Sequence, residues 1–178
     1  MRRQILLLSL LGFCCGPATA ADNSHNHAPK APTNAGFEKL KTLVGTWVAA
    51  DEQGNPTDQV VSVIKLTAGG SALEETLFPG QPHEMVSLYT PDGQDVVMTH
   101  YCMLGNQPRM KAATASFDDK LNFEFAGGTN LDPAKDKHMH AALLTFVDDD
   151  HLQVNAIGWE DGKPAQEMCH VMKLARQK

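Results

Sequence analysis

Gly45-Thr46-Trp47 stands at the head of a long succession of short β-like runs, and that position constrains the fold more than any other feature of the chain. Beyond Gly45 the runs read 46–50, 59–67, 70–77, 85–90, 95–103, 110–116, 120–126, 139–147, 151–160 and 166–174, each bounded by turn residues. Ala68-Gly69-Gly70, Pro91-Asp92-Gly93, Asp118-Asp119, Asp148-Asp149-Asp150 and Asp161-Gly162-Lys163 are the residues that tight antiparallel connections require, because they adopt positive φ cheaply. Helix-length spacers are missing, which argues against a parallel sheet with crossover helices. About ten antiparallel strands must then bury their apolar faces and hide two edges, and closing the sheet on itself does both. The expected fold class is all-β: a closed antiparallel barrel of about ten strands, with a two-sheet sandwich as the competing architecture.

Alternation supports this. Leu121, Phe123 and Phe125 share one face, opposite Asn122 and Glu124. Ala142, Leu144 and Phe146 share another, but Ala141, Leu143 and Val147 oppose them, as expected where a helix or a second layer covers the outside. Ahead of the strands, Phe37, Leu40, Lys41 and Val44 recur at helical spacing with Leu43 on the apolar side. That predicts a capping helix of about two turns, too short to stand alone and ended by Gly45.

The first twenty residues read differently. Arg2 and Arg3, the 11-residue apolar run Ile5–Cys15 and the small residues Gly16-Pro17-Ala18-Thr19-Ala20 have the form of a secretory signal peptide over 1–20, cleaved after Ala20. The run is too short to cross about 30 Å of hydrocarbon. Cys14 and Cys15 raise the alternative of a lipid anchor, against which bulky Phe13 argues. Residues 21–35 are polar, hold Pro29 and Pro32, and read as a flexible tether in which His25 and His27 are solvated. The compact domain is expected at 36–176, and the mature chain of 158 residues is enough for one core. Localisation is accordingly expected to be exported, periplasmic or secreted, with no transmembrane segment in the mature chain. Loss of Arg2 and Arg3 moves the formal charge from −6 to −8, and no basic stripe is present, so nucleic acid is not an expected partner. Nothing in the sequence sets the oligomeric state.

With a barrel in hand, Gly45-Thr46-Trp47 resembles the Gly-x-Trp of the lipocalin-like (calycin) families. The resemblance implies that Trp47 closes one barrel end beneath a basic side chain from just after the last strand, here Arg176, with Lys173 as the alternative. Ser71-Ala72-Leu73-Glu74-Glu75-Thr76-Leu77-Phe78-Pro79-Gly80, Pro82-His83-Glu84-Met85-Val86, Thr99-His100-Tyr101-Cys102, Gly105-Asn106-Gln107-Pro108-Arg109-Met110 and Thr129-Asn130-Leu131-Asp132-Pro133 extend the likeness. These segments are similar to those of exported bacterial proteins with a lipocalin-like domain, a group to which no agreed activity attaches. Ten strands rather than eight resembles the fatty-acid-binding or nitrobindin-like branch. Nitrobindin-like proteins bind haem through one His, but no motif here carries that residue over.

Candidate chemistry is dispersed. His100 and Cys102 share a strand face, as do His138 and His140 if their strand begins early, and His170 lies between Met168 and Met172. His100, Cys102, His140 and His170 are therefore the candidate ligands for haem or a transition metal, against which stands the reading of satisfied structural histidines and no cofactor. Cys102 and Cys169 are also candidates for a disulfide in an oxidising compartment. Glu74, His83, Tyr101 and Arg109 form the candidate ligand-binding set, with Arg109 as an anchor for an anion. Asn106 and Gln107 are equally suited to tying loops together. No Gly-x-Ser-x-Gly elbow or phosphate loop is present, and Asp148-Asp149-Asp150 reads as a charged hairpin tip. The leading expectation is a non-catalytic protein holding a small, partly apolar molecule in the barrel. A haem, metal or enzymatic protein using the barrel histidines is the second, and an interaction domain with a filled core is the third.

Overall fold

The structure, a computed structural model, describes residues 34–114 and 118–178. The expected signal peptide, nearly all of the tether and the end of the expected 110–116 strand lie outside the described residues.

The chain begins with helix α1 (Ala35–Lys41), which is seven residues long and held at both ends. Asn34 caps it by accepting from the Phe37 amide at 2.9 Å, while its amide nitrogen donates to Gly93 O and Asp95 O at 3.1 and 2.7 Å. One side chain thus starts the helix and fastens it to the sheet. Phe37 and Leu40 form its buried face.

Ten strands follow in up-and-down order: β1 (Gly45–Ala50), β2 (Pro56–Thr67), β3 (Ala72–Leu77), β4 (Met85–Asp92), β5 (Asp95–Tyr101), β6 (Gln107–Ala113), β7 (Lys120–Thr129), β8 (His138–Phe146), β9 (His151–Glu160) and, after the two-residue β10 (Lys163–Pro164), β11 (His170–Arg176). Each main strand pairs antiparallel with its chain neighbours, β8 with β9, β9 with β11, and β11 with β1. The last pairing closes the barrel, with Trp47 opposite Arg176 and Val48 opposite Ala175. β10 only lengthens the hairpin beside the end of β9.

The predicted runs match these strands closely, with one instructive exception. The run placed at 166–174 begins instead with a 3-10 turn over Gln166–Met168. That turn packs against β9 at Gly158, where an added Cβ would stand 2.1 Å from Met168 Cβ, so strand pairing resumes only at His170.

The core fills the closed end. Phe37, Leu40, Leu43 and Trp47 meet Leu121, Phe123, Leu144, Phe146, Leu152 and Leu174 there, all buried. The expectation that a helix covers the outside of β8 is corrected by this arrangement. Leu40 and Leu43 lie on the lining of the interior, so α1 plugs the barrel end, and Val147 is left exposed. No helix among the described residues is long and apolar enough to cross a membrane.

Candidate functional site

Inside the barrel lies a cavity of about 890 Å³. Its floor is the α1 plug with Leu40 and Leu43, and its walls carry Ile64, Leu73, Met98, Ala142, Leu144 and Leu152. It opens at the opposite end, where the β3–β4 and β5–β6 connections and the start of β11 place His83, Met103, Leu104 and Val171, all exposed, on the lining. Six of the eight methionines line this space, so most of its surface is soft and apolar.

The buried polar side chains of the lining form one row. Glu75 of β3, Ser87 of β4 and His100 of β5 are direct cross-strand neighbours, all buried and all on the inner face. Ser62 Oγ donates to Glu75 Oε1 at 2.7 Å, and Tyr89 Oη donates to Glu75 Oε2 at 2.6 Å. Ser87 Oγ and His100 Nδ1 are 2.9 Å apart. Burial raises the Glu75 carboxyl above the usual carboxylate range, with the two hydroxyl donors pulling the other way. Tyr89 is raised well above an ordinary phenol by burial and by the Glu75 charge. Burial pushes His100 down to about 4, so the imidazole is neutral at physiological pH.

His100 lines the cavity, and its second nitrogen, Nε2, makes no hydrogen bond among the described residues. No cation is bonded to the row. The lysines on the lining are Lys137, held by Glu160 and Glu167 at 3.3 Å each, and exposed Lys173.

Compared with protein-family models and with curated proteins, the chain has no match. At the level of fold, the closed antiparallel barrel behind an N-terminal helix is the lipocalin (calycin) architecture.

Within that architecture the expected ligand-binding residues fall largely outside the cavity. Leu73, Glu75 and Leu77 line it, so intervening Glu74 faces outward and bonds Lys65 at 2.8 Å. Arg109, exposed between inward Pro108 and Met110, cannot anchor an anion inside. Tyr101 is exposed on the outer face as well. His83 alone of the four reaches the lining, at the mouth, with its ring 4.7 Å from that of Phe78. Asn106 and Gln107 tie loops: Asn106 Nδ2 donates to Lys137 O at 2.7 Å, and Gln107 Oε1 accepts from Thr129 and Asn130.

The candidate metal set does not converge, since no three His, Cys, Asp or Glu among the described residues are gathered to hold an ion. His100, Cys102 and His170 reach the lining separately. His140 does not, being sandwiched between Phe125 and Trp159 at ring separations of 4.7 and 4.1 Å. Its Nδ1 is 3.0 Å from His138 Nε2, so the two imidazoles satisfy each other. Cys102 and Cys169 are free thiols, not bonded to one another.

Trp47 and Arg176 form the seam at the closed end. The guanidinium carbon lies 4.4 Å from the Trp47 ring, and Trp47 Nε1 donates to Leu43 O at 2.8 Å. Arg176 Nη1 and Nη2 donate to Val44 O and Thr42 O at 3.0 and 2.8 Å, covering carbonyls at the helix C-terminus. Gly45 makes room for this: its φ is +138° and an added Cβ would stand 3.1 Å from Arg176 Nη1.

Proposed function

We propose that this is an exported, non-catalytic binding protein that holds a small, partly apolar molecule in its barrel. One observation carries the reading: a cavity of about 890 Å³, mostly apolar, whose buried polar side chains form a single hydrogen-bonding row on one wall. That combination is what a ligand site offers, with area for affinity and a few polar groups for orientation. The periplasmic or secreted setting rests on the leader-like composition of residues 1–20. Native mass spectrometry of protein purified from its own host is expected to show a copurified mass that organic extraction removes. A protein that arrives empty and binds no hydrophobic probe would sink the reading.

A second reading is favoured by His100 itself. An imidazole that lines an apolar cavity, with Nδ1 engaged by Ser87 and Nε2 free of any hydrogen bond among the described residues, is suited to ligating haem iron. Titration with haem decides it by the presence or absence of a Soret band that depends on His100.

A further inference from the structure

His151 stands on the outer face of the barrel, at the end of a cross-strand row. Leu152 and Leu174 line the cavity, so their neighbours His151 and Ala175 point away from it, and Ala49 on the lining turns Val48 outward. Register sets the three side by side, Val48 opposite Ala175 and Ala175 opposite His151. Val48 and Ala175 are nevertheless buried. The pairing of β1 with β2 shifts twice, which bends their hairpin, and its tip at 51–55 reaches back until Gly54 O meets His151 Nε2 at 3.0 Å. Ala175 lies between β1 and His151, so the tip crosses over this row. The tip is tied as one piece by the Asp51 carboxylate, which accepts from Gln53 N, Asn55 N and Asn55 Nδ2 at 2.9, 2.7 and 3.0 Å.

Both nitrogens of His151 face groups that can only accept. Nε2 meets the Gly54 carbonyl, and Nδ1 lies 2.8 and 2.9 Å from the two oxygens of the Asp148 carboxylate. A neutral imidazole has one N–H and would turn a lone pair on the carbonyl or on the carboxylate, whichever tautomer it took. An imidazolium donates to both. The surrounding charges favour it: Asp149 and Glu52 are exposed, and Asp150 is shared between Arg176 at 3.6 Å and Lys178 at 3.1 Å. The bond to Asp148 holds His151 above the ordinary 6.5, against the small desolvation of the ring.

We propose that His151 is a proton-operated clasp: as an imidazolium it ties the tip of the β1–β2 hairpin to the β8–β9 turn, and loss of the proton releases the tip. Ala49, Ala50 and Val61 of the same hairpin line the cavity, so the clasp bears on one of its walls, whatever the cavity holds. The folded state prefers the charged ring. Its contribution is therefore complete below 6.5 and is lost as pH rises through the higher folded value.

The test is NMR of the intact protein titrated from about pH 5 to about pH 9, across the range in which imidazole changes charge. At the acid end both His151 nitrogens are expected to carry protons, with a ring midpoint above 6.5 and the Asn55 amide shift following the same curve. The cross-peak between the His151 ring and Gly54 is expected to fall by about half or more across that midpoint, as suits a weak surface pair. In His151→Gln, which keeps a donor for Gly54 but does not titrate, the Asn55 curve is flat. In Asp148→Asn the ring midpoint moves down. A parent midpoint at or below 6.5, or an Asn55 amide indifferent to the His151 titration, would overturn the clasp.

Discussion

His100 is buried without a charge-compensating partner, and this makes its titration a direct report on the cavity. Its pKa falls from 6.5 to about 4 because the charged form is desolvated. The folded state therefore prefers the neutral ring, and the resulting stability is fully present above 6.5 and is lost as pH falls through about 4. The loss is on the order of 3 kcal/mol. Ring-proton NMR is expected to place the His100 midpoint near 4, and urea melts of His100→Gln should be less acid-sensitive than the parent between those limits. A midpoint near 6.5 would mean that the ring sees water. Glu75 works in the opposite direction: raised above 4.5, its contribution is complete below that value and fades as pH rises through the higher folded pKa. Arg176 is the second residue whose role can be weighed singly. Its guanidinium holds the Trp47 ring, Val44 O, Thr42 O and, through Nε, Asp149 O at 3.1 Å. Arg176→Ala is expected to cost about 2–3 kcal/mol in chemical denaturation, and Arg176→Lys to recover only part, because an ammonium cannot fork between those carbonyls while stacking.

Among the elements, the 3-10 turn at Gln166–Met168 is the one whose position depends on a single missing atom. Gly158→Ala drives a methyl into Met168 and its carbonyl, so the turn must lift from β9. A cost of about 1–3 kcal/mol is expected, with faster amide exchange at 166–170 as the local signature. The strands also show what could be read in advance and what could not. Inward Leu121 and Phe123 were legible because Asn122 and Glu124 alternate with them, whereas in β8 apolar Ala141 and Leu143 oppose Ala142, Leu144 and Phe146 and left the inner face undecided. The choice between Glu74 and Glu75 was equally open to reading, since Leu73 and Leu77 mark the inner phase and only Glu75 shares it. Pro108 and Met110 exclude Arg109 by the same logic. His140 was beyond reach: the pairing of β8 with β9 shifts between Met139 and Ala141, and a bulge resets the face of everything before it. Cross-strand register was hidden too, so nothing along the chain announced that Glu75, Ser87 and His100 form one row.

At the scale of the whole molecule, the barrel divides its length between a packed end and a hollow one. Leu40 and Leu43 seal the first, and the space above them reaches the mouth past Ala156. Ala156→Trp projects a large ring into that space where there is room to accept it. Binding of N-phenylnaphthylamine is expected to weaken by about tenfold or more, with thermal stability unchanged or slightly raised. Retained binding would place the probe elsewhere. The barrel form itself was readable because ten short runs with tight turns leave few alternatives. The hollow was not, since Leu, Met and Ala on an inner face are compatible with a filled barrel or an open one.

The seam between β1 and β11 has a consequence for how the molecule comes into being. Arg176 reaches Val44 across 132 positions of sequence, so the first strand waits for its second neighbour until the final one has emerged. Until then the half-built ribbon has two raw margins and no lasting shape, and its assembly is slow. A polypeptide kept pliant in this way zips shut only once β11 has been made.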